Sequence, residues 1–372
     1  MDERLQRTIQ AMREIGADWA VLASVDGVCY ATGHAVPVEA GPSPFAGGPT
    51  IALVGRDGST GLVSANVEAA AARASRVTEV VLYEGYAFDH GVDYLESYRS
   101  AVRTLVERLR PSGRIAAERG CFPALLGDVI EVDPRLDLTP PLRRQRATKT
   151  AAELATLRRC AEAVAIGQNR FHAALWPGRS ELEVFADIRA SIEMFAGCRV
   201  PITGDFLSGA ARTAGFTGWP VHRVIEPSDP VMADLAPRLD GYWGDSCATT
   251  SAGPPSAGFE KLFLVSKGAL TFAQEILRPG ITAQAFDAEL RAYVGRHGYR
   301  YPHHSGHSIG TAVHEFPRLV PYETATLEPD MVLLVEPGCY DPEIGGVRSE
   351  YMFRVTATGC EIMHPFEHRL AI

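Results

Sequence analysis

The stretch "WPGRSELEVFADIRASI", starting at Trp176, returns as "RPGITAQAFDAELRAYV", starting at Arg278. Both read Pro-Gly, one residue, Ser or Thr, then a helix with apolar residues along one face. Ser180 and Glu183 give the first copy a capping-box pattern. Each copy follows another long helical run, "ELATLRRCAEAVAIGQNRFHAAL" and "GFEKLFLVSKGALTFAQEIL". The offset is 102 residues, from Pro177 to Pro279. Such a repeat predicts two related halves with a site between them.

The same offset carries Asp234 onto Glu336. Each is an acid in an otherwise apolar strand, "PVMADLAP" and "MVLLVEPG". A carboxylate in a strand fit for burial is costly unless it is paired or metal-bound. Each also has a second acid on the following strand. In "VMADLAPRLDGYWGDSCATT" an Asp-Gly turn predicts a hairpin, and an even-length loop puts Asp234 and Asp245 on one face. "MVLLVEPGCYDPEIGGVRSEYMFRV" reads similarly, with Glu336 and Glu350 able to face each other across a longer turn. Two like charges ~4 Å apart cost roughly 4 kcal/mol at an effective dielectric of about 20. Four carboxylates in one cleft therefore need protons or cations, and two divalent ions balance them. Solvated acids paired with arginines are the competing reading for either pair alone; recurrence at repeat-related positions favours a shared site.

Four of the chain's eleven histidines, His303, His304, His307 and His314, lie in "HHSGHSIGTAVHEFP". Gly306 and Gly310 flank His307 and let the backbone come close. One neutral imidazole with four carboxylates makes a hard, oxygen-rich two-metal site. It favours manganese, cobalt or iron over zinc. His307 is the expected ligand, and His304 reads as a satisfied, partly buried side chain.

At 372 residues the chain suits two domains. Residues 1–140 alternate helical and strand-like segments, predicting a small α/β domain. "LTPPLRRQRATKT" reads as a linker into a second domain spanning 150–372. Net charge of -9 and a pI near 5.7 argue against a nucleic-acid partner. No glycine-rich phosphate loop follows a strand, and no apolar run approaches the roughly 18 residues of a membrane span. The start "MDERLQRTIQ" lacks a secretory pattern. Seven cysteines, an odd number with no Cys-x-x-Cys, predict reduced thiols and a cytoplasmic protein.

Over essentially its whole length the chain resembles the pita-bread metallohydrolases: Xaa-Pro aminopeptidases, prolidases, methionine aminopeptidases and creatinases. "ADWAVLASVDGVCYATGH" resembles the creatinase/prolidase N-terminal domain, and "LRRQRATKTAAELATLRRCAEA" the family's linker and first catalytic helix. The resemblance carries over five metal ligands: Asp234; Asp245 in "GYWGD"; His307 in "SGHSIG"; Glu336 in "VEPG"; and Glu350 in "GVRSE". His314 in "VHEFP" matches a downstream histidine, and His303 one four residues before the ligand. Three departures stand out. "DSCATT" replaces the usual Asp-x-Thr-Arg-Thr pattern, with Cys247 and Ala248 in place of Thr and Arg; His222 comes too late to match the usual loop histidine; and "HHSG" stands where His-Gly-x-Gly is usual.

The resemblance implies an α+β pita-bread catalytic domain with an internal pseudo-two-fold repeat, preceded by a smaller α/β creatinase-type domain. It implies a homodimeric dinuclear-metal hydrolase that cleaves small peptides before proline with a metal-bridging hydroxide. Glu336 passes the proton, His314 stabilises the oxyanion and His303 orients the substrate. Arg348 either holds a substrate carboxylate or bridges to a ligand. Cys247 is either a substrate-contacting thiol or a buried filler, and His222 is a candidate substrate contact. Two alternatives stay open: a metal-dependent hydrolase or lyase of a small non-peptide metabolite, and a non-catalytic binding module.

Overall fold

The computed structural model describes residues 2–38 and 46–372. The chain divides into two compact units, Met1–Arg146 and Ala147–Ile372.

The first unit is a five-stranded mixed sheet. Its order is Glu79–Tyr83, Thr60–Ala65, Ile51–Gly55, Trp19–Leu22, Ile115–Ala117. Alternate residues of each strand serve two cores. Ala20, Leu22, Val54 and Leu62 pack with Leu5, Ile9 and Met12 of the helix Glu3–Glu14. Val21, Leu53 and Val63 pack with Tyr98, Val102 and Leu105 of the helix Tyr94–Leu109. Both faces are covered, which is why these strands read as nearly unbroken apolar runs. The stretch read as a linker is in part a helix, Thr139–Ala147. Pro140 and Pro141 fall in its first turn, where backbone N–H groups have no intrahelical partner to lose. The side chain of Arg146 is tied to Asp26.

The second unit is built on two hairpins. The first runs Pro230–Asp234 and Ala236–Leu239, turns, and returns as Tyr242–Trp243 and Cys247–Ser251. Asp234 pairs with Cys247 and Leu239 with Tyr242. Asp240 and Gly241 make the turn with φ of 50° and 84°, the left-handed pair that a two-residue type I′ hairpin requires. The second hairpin runs Val332–Val335 and Gly338–Asp341, then Gly345–Arg348 and Tyr351–Val355, with Val335 opposite Tyr351 and Gly338 opposite Arg348. Each hairpin gains an antiparallel strand beside its acid-bearing strand: Phe206–Ser208 in the first half and Gly306–Ser308 in the second.

Helices follow the repeat. Ala151–Ala174 and Glu181–Ala196 serve the first half, and Ala257–Ile276 and Ala283–Arg296 the second. Ser180 and Glu183 close the expected capping box, and Thr282 caps the equivalent helix through the N–H of Ala285. Val332 and Leu334 face the first-half core, whereas Leu333 and Val335 face the second-half core. The second hairpin is thus buried on both sides, and the acids at its inner end are carried into the interior.

Candidate metal centre

Asp234 ends its strand, and Glu336 directly follows Val332–Val335. Each is fixed by a backbone bond to the neighbouring strand region: Asp234 N–H to Asp205 O at 2.8 Å, and Glu336 N–H to Ser305 O at 3.0 Å. Continuing the hairpin registers by one or two residues sets Glu350 directly opposite Glu336, and Asp245 diagonally across from Asp234 on the same face. Backbone bonds join the hairpins. Glu350 N–H donates to Cys247 O at 2.9 Å, and Arg348 N–H to Thr249 Oγ1 at 3.0 Å.

His307 sits within this arrangement and is 1% exposed. Its Nε2 lies 3.7 Å from Asp245 Oδ2 and 3.8 Å from Glu336 Oε1. Its Nδ1 lies 2.9 Å from Ser308 O. A carbonyl accepts only, so Nδ1 carries the proton and Nε2 presents its lone pair to the carboxylates, as a metal ligand must. Donor atoms of Asp245, His307 and Glu350 all lie within 4.8 Å of one another. Gly306 is required here. Its φ is +154°, and a Cβ would meet Leu334 O at 1.9 Å.

The charges do not balance without cations or protons. Burial pushes Asp234 up to about 6, against the pull of Arg348. Burial, then Asp234, holds Asp245 well above the carboxylate range, and burial, then Asp245, does the same to Glu350. Burial also raises Glu336, but His304, Arg348 and His307 more than offset it and bring it to about 2. Glu336 Oε1 is buried with no hydrogen bond of sound geometry, although His304 Nε2 stands 2.8 Å away. Arg348 is the guanidinium set against these acids. Three buried carboxylates, the half-buried Asp234 and one imidazole of the right tautomer fit hard divalent ions.

The other candidates fall as follows. Burial lowers His303, His307 and His314 to about 4, 3 and 4, so all three are neutral at pH 7. His303 is spent on its neighbours: Nδ1 is 2.8 Å from His304 O and Nε2 2.8 Å from Tyr340 Oη. His314 stacks edge-on against His307, with ring centroids 4.1 Å apart. Arg348 is buried and bonded to Asp234 and, at 3.3 Å, to Asp205, the bridging alternative of the two read from sequence. Cys247 shares a face with the acids but is wholly buried against Leu207 and Met232, with Tyr340 beside them. That is the filler alternative. His222 is exposed on the segment before the first hairpin and outside both donor clusters.

Sequence reasoning missed Asp205, Phe216 and Tyr340. Asp205 in "TGDFLS" carried the signal already used for Asp234, an acid next to apolar strand residues. Phe216, His303 and Tyr340 form an aromatic wall, with Phe216 5.8 Å from His303 and 5.6 Å from Tyr340 between ring centroids. No local pattern marked these as neighbours. Among the described residues no helix is long and apolar enough to cross a membrane.

Comparison with known proteins bears on this geometry. Residues 4–152 match the creatinase/prolidase N-terminal domain, and residues 155–357 match metallopeptidase family M24. The chain is 32% identical over 252 residues to the probable dipeptidase PepE of Mycobacterium tuberculosis, covering 66% of each protein, just under two thirds. It is 27% identical over 377 residues to the Xaa-Pro dipeptidase of Pyrococcus horikoshii, covering 100% of this chain and 99% of that protein. Among solved structures, the Xaa-Pro dipeptidase from Bacillus anthracis superposes with a TM-score of 0.81 at 24% identity, covering 100% of this chain and 99% of that one. Dipeptidase PepE from Mycobacterium ulcerans gives 0.78 at 25%, covering 100% and 98%. With the M24 match spanning more than half of its length, this α+β, two-half chain belongs to metallopeptidase family M24 and has that family's pita-bread fold.

Proposed function

We propose that the protein hydrolyses a short peptide at the bond preceding proline, using two divalent ions held by Asp234, Asp245, His307, Glu336 and Glu350. The observation that carries this reading is the convergence of buried carboxylates on one deprotonated imidazole nitrogen, with too little positive charge to balance them. Family membership implies divalent metal ions; the oxygen-rich donor set favours manganese, cobalt or iron over zinc. Bound there, such ions supply Lewis acidity and lower the pKa of water toward neutrality.

The protein's own groups do the rest. Glu336 takes the proton of the attacking water at Oε1, the oxygen that lacks a sound hydrogen bond. His314 donates to the oxygen on which charge develops. His303, its two nitrogens held by His304 O and Tyr340 Oη, orients the substrate through its ring face, as part of a wall with Phe216 and Tyr340 that offers a proline ring an apolar surface. Arg348 fixes Asp234 in place. The names of the relatives, dipeptidase and Xaa-Pro dipeptidase, agree with a short substrate. The protein acts as a homodimer in this reading, and cysteines that form no disulfide among the described residues support a reducing, cytoplasmic setting.

The test is metal-stripped protein reloaded with manganese or cobalt, assayed on Ala-Pro, Ala-Ala and proline-containing tripeptides beside Asp245→Ala. Cleavage of X-Pro bonds by the loaded wild type alone is expected. Failure to cut any X-Pro peptide overturns the reading.

A further inference from the structure

His304 stands outside the five-residue donor set, yet it is not turned away from it. Its Nε2 lies 2.8 Å from Glu336 Oε1. Its ring centroid is 5.3 Å from that of His307 and 5.5 Å from that of His314. One ring nitrogen from each of His304, His307 and His314 lies within 4.8 Å of the other two. Three nitrogens bound to a tetrahedral ion at ~2.0–2.1 Å stand about 3.4 Å apart, so small side-chain rotations close the gap.

The backbone beneath these rings is braced. Arg291 donates to Tyr301 O at 3.1 Å and His303 O at 2.7 Å. The buried Asp287 accepts from Ser305 Oγ, and Ser305 O holds the N–H of Glu336. His304 is therefore presented beside His307 and His314 by a fixed segment, with no need of a loop rearrangement.

We propose that His304, His307 and His314 form a second cation site, made of three nitrogen donors and suited to a borderline divalent ion such as zinc, copper or nickel. Imidazole suits these ions better than the hard oxygen-preferring ones. Three imidazoles with one open position are a known zinc arrangement. His307 has one free lone pair, on Nε2, because Nδ1 faces Ser308 O. The nitrogen site and any carboxylate-cage position that uses His307 therefore exclude each other. A borderline ion at the nitrogen site draws His307 off the cage, so the chain carries its own competitive site for the wrong metal. This rests on the cage reading only for the competition, not for the binding.

The full chain, stripped of metal and titrated with copper(II), tests it by electron paramagnetic resonance. Wild-type protein is expected to show nitrogen superhyperfine coupling from three imidazoles. The same signal is expected in Asp245→Asn/Glu350→Gln, where the cage is disabled. His304→Gln and, independently, His314→Gln should lose one nitrogen and bind copper at least tenfold more weakly, with the near-ultraviolet circular dichroism of wild type showing that the fold is kept. In manganese-loaded wild type copper should displace manganese, and in His304→Gln this displacement should need at least tenfold more copper. A copper signal unchanged in folded His304→Gln overturns the proposal, as does loss of the signal in the folded cage variant. Absence of manganese binding with the three-nitrogen copper signal intact sinks the cage reading and leaves this one standing.

Discussion

In the first half of the catalytic unit Asp234 leans on a guanidinium, whereas in the second half Glu336 leans on imidazoles. The scaffold under both is the same: an acid at the inner end of a buried hairpin strand, its N–H bonded to the adjoining segment. The decoration differs. Arg348, itself from the second hairpin, never gives up its charge and holds Asp234 and Asp205 as a permanent anchor. Burial keeps His303, His307 and His314 neutral, with His307 offering a lone pair. One side of the repeat therefore sets a permanent positive charge against its acid, and the other surrounds its acid with uncharged nitrogen donors.

The sharpest way to break this contrast is Glu336→Gln. It should lower X-Pro hydrolysis by roughly 10³-fold or more, while isothermal titration still detects manganese binding. A loss of under tenfold would remove proton work from the second half. Next in size is Arg348→Met, which leaves two half-buried acids without their cation. Urea unfolding of the metal-free protein should show about 3–5 kcal/mol lost, and manganese should restore part of it, since the ions supply the missing charge.

A pH experiment sharpens the comparison from outside the site. His172 and His368 are buried among Phe171, Tyr351 and Phe366, and burial lowers them to about 4 and 3. Below the ordinary value of 6.5 the unfolded chain binds protons that the folded chain refuses. Stability is therefore held above pH 6.5 and lost as pH falls toward 4, by up to about 1.4 kcal/mol per pH unit for each group. His172→Phe/His368→Phe should flatten the slope between pH 6.5 and 5, measured by urea unfolding. The smallest expected effect separates the two helix starts. Ser180→Ala breaks a full capping box and should cost about 1 kcal/mol, whereas Thr282→Ala removes a single cap and should cost nearer 0.5 kcal/mol. Equal costs would mean the reciprocal Glu183 bond contributes nothing.

What could be read from sequence was what repeats or alternates. The 102-residue offset exposed the two halves, and the Asp-Gly turn fixed which residues share a face. The acids themselves stood out because a carboxylate in an apolar run needs a reason. What could not be read depended on depth and on distant neighbours. Cys247 has the correct facing yet is sealed under Leu207 and Met232. Arg348 is adjacent in register to Gly338 but spends its charge on a residue 114 positions away. The basic stretch before the second unit contains a helix because its prolines sit where a helix tolerates them. His304 looked like a bystander, since nothing in "HHSG" tells how closely it approaches Glu336.

The backbone bond from Glu350 to Cys247 and the paired bonds between Arg348 and Thr249 weld the two hairpins into one frame. A frame of this kind tolerates length change only at its tips, beyond Leu239 and Tyr242 or between Asp341 and Gly345. One codon gained or lost anywhere inward would turn a carboxylate to the opposite side of its strand and dismantle the proposed cage at a stroke. Diversification of such a protein must therefore run through the aromatic wall and the surrounding segments, while the frame itself stays fixed in length.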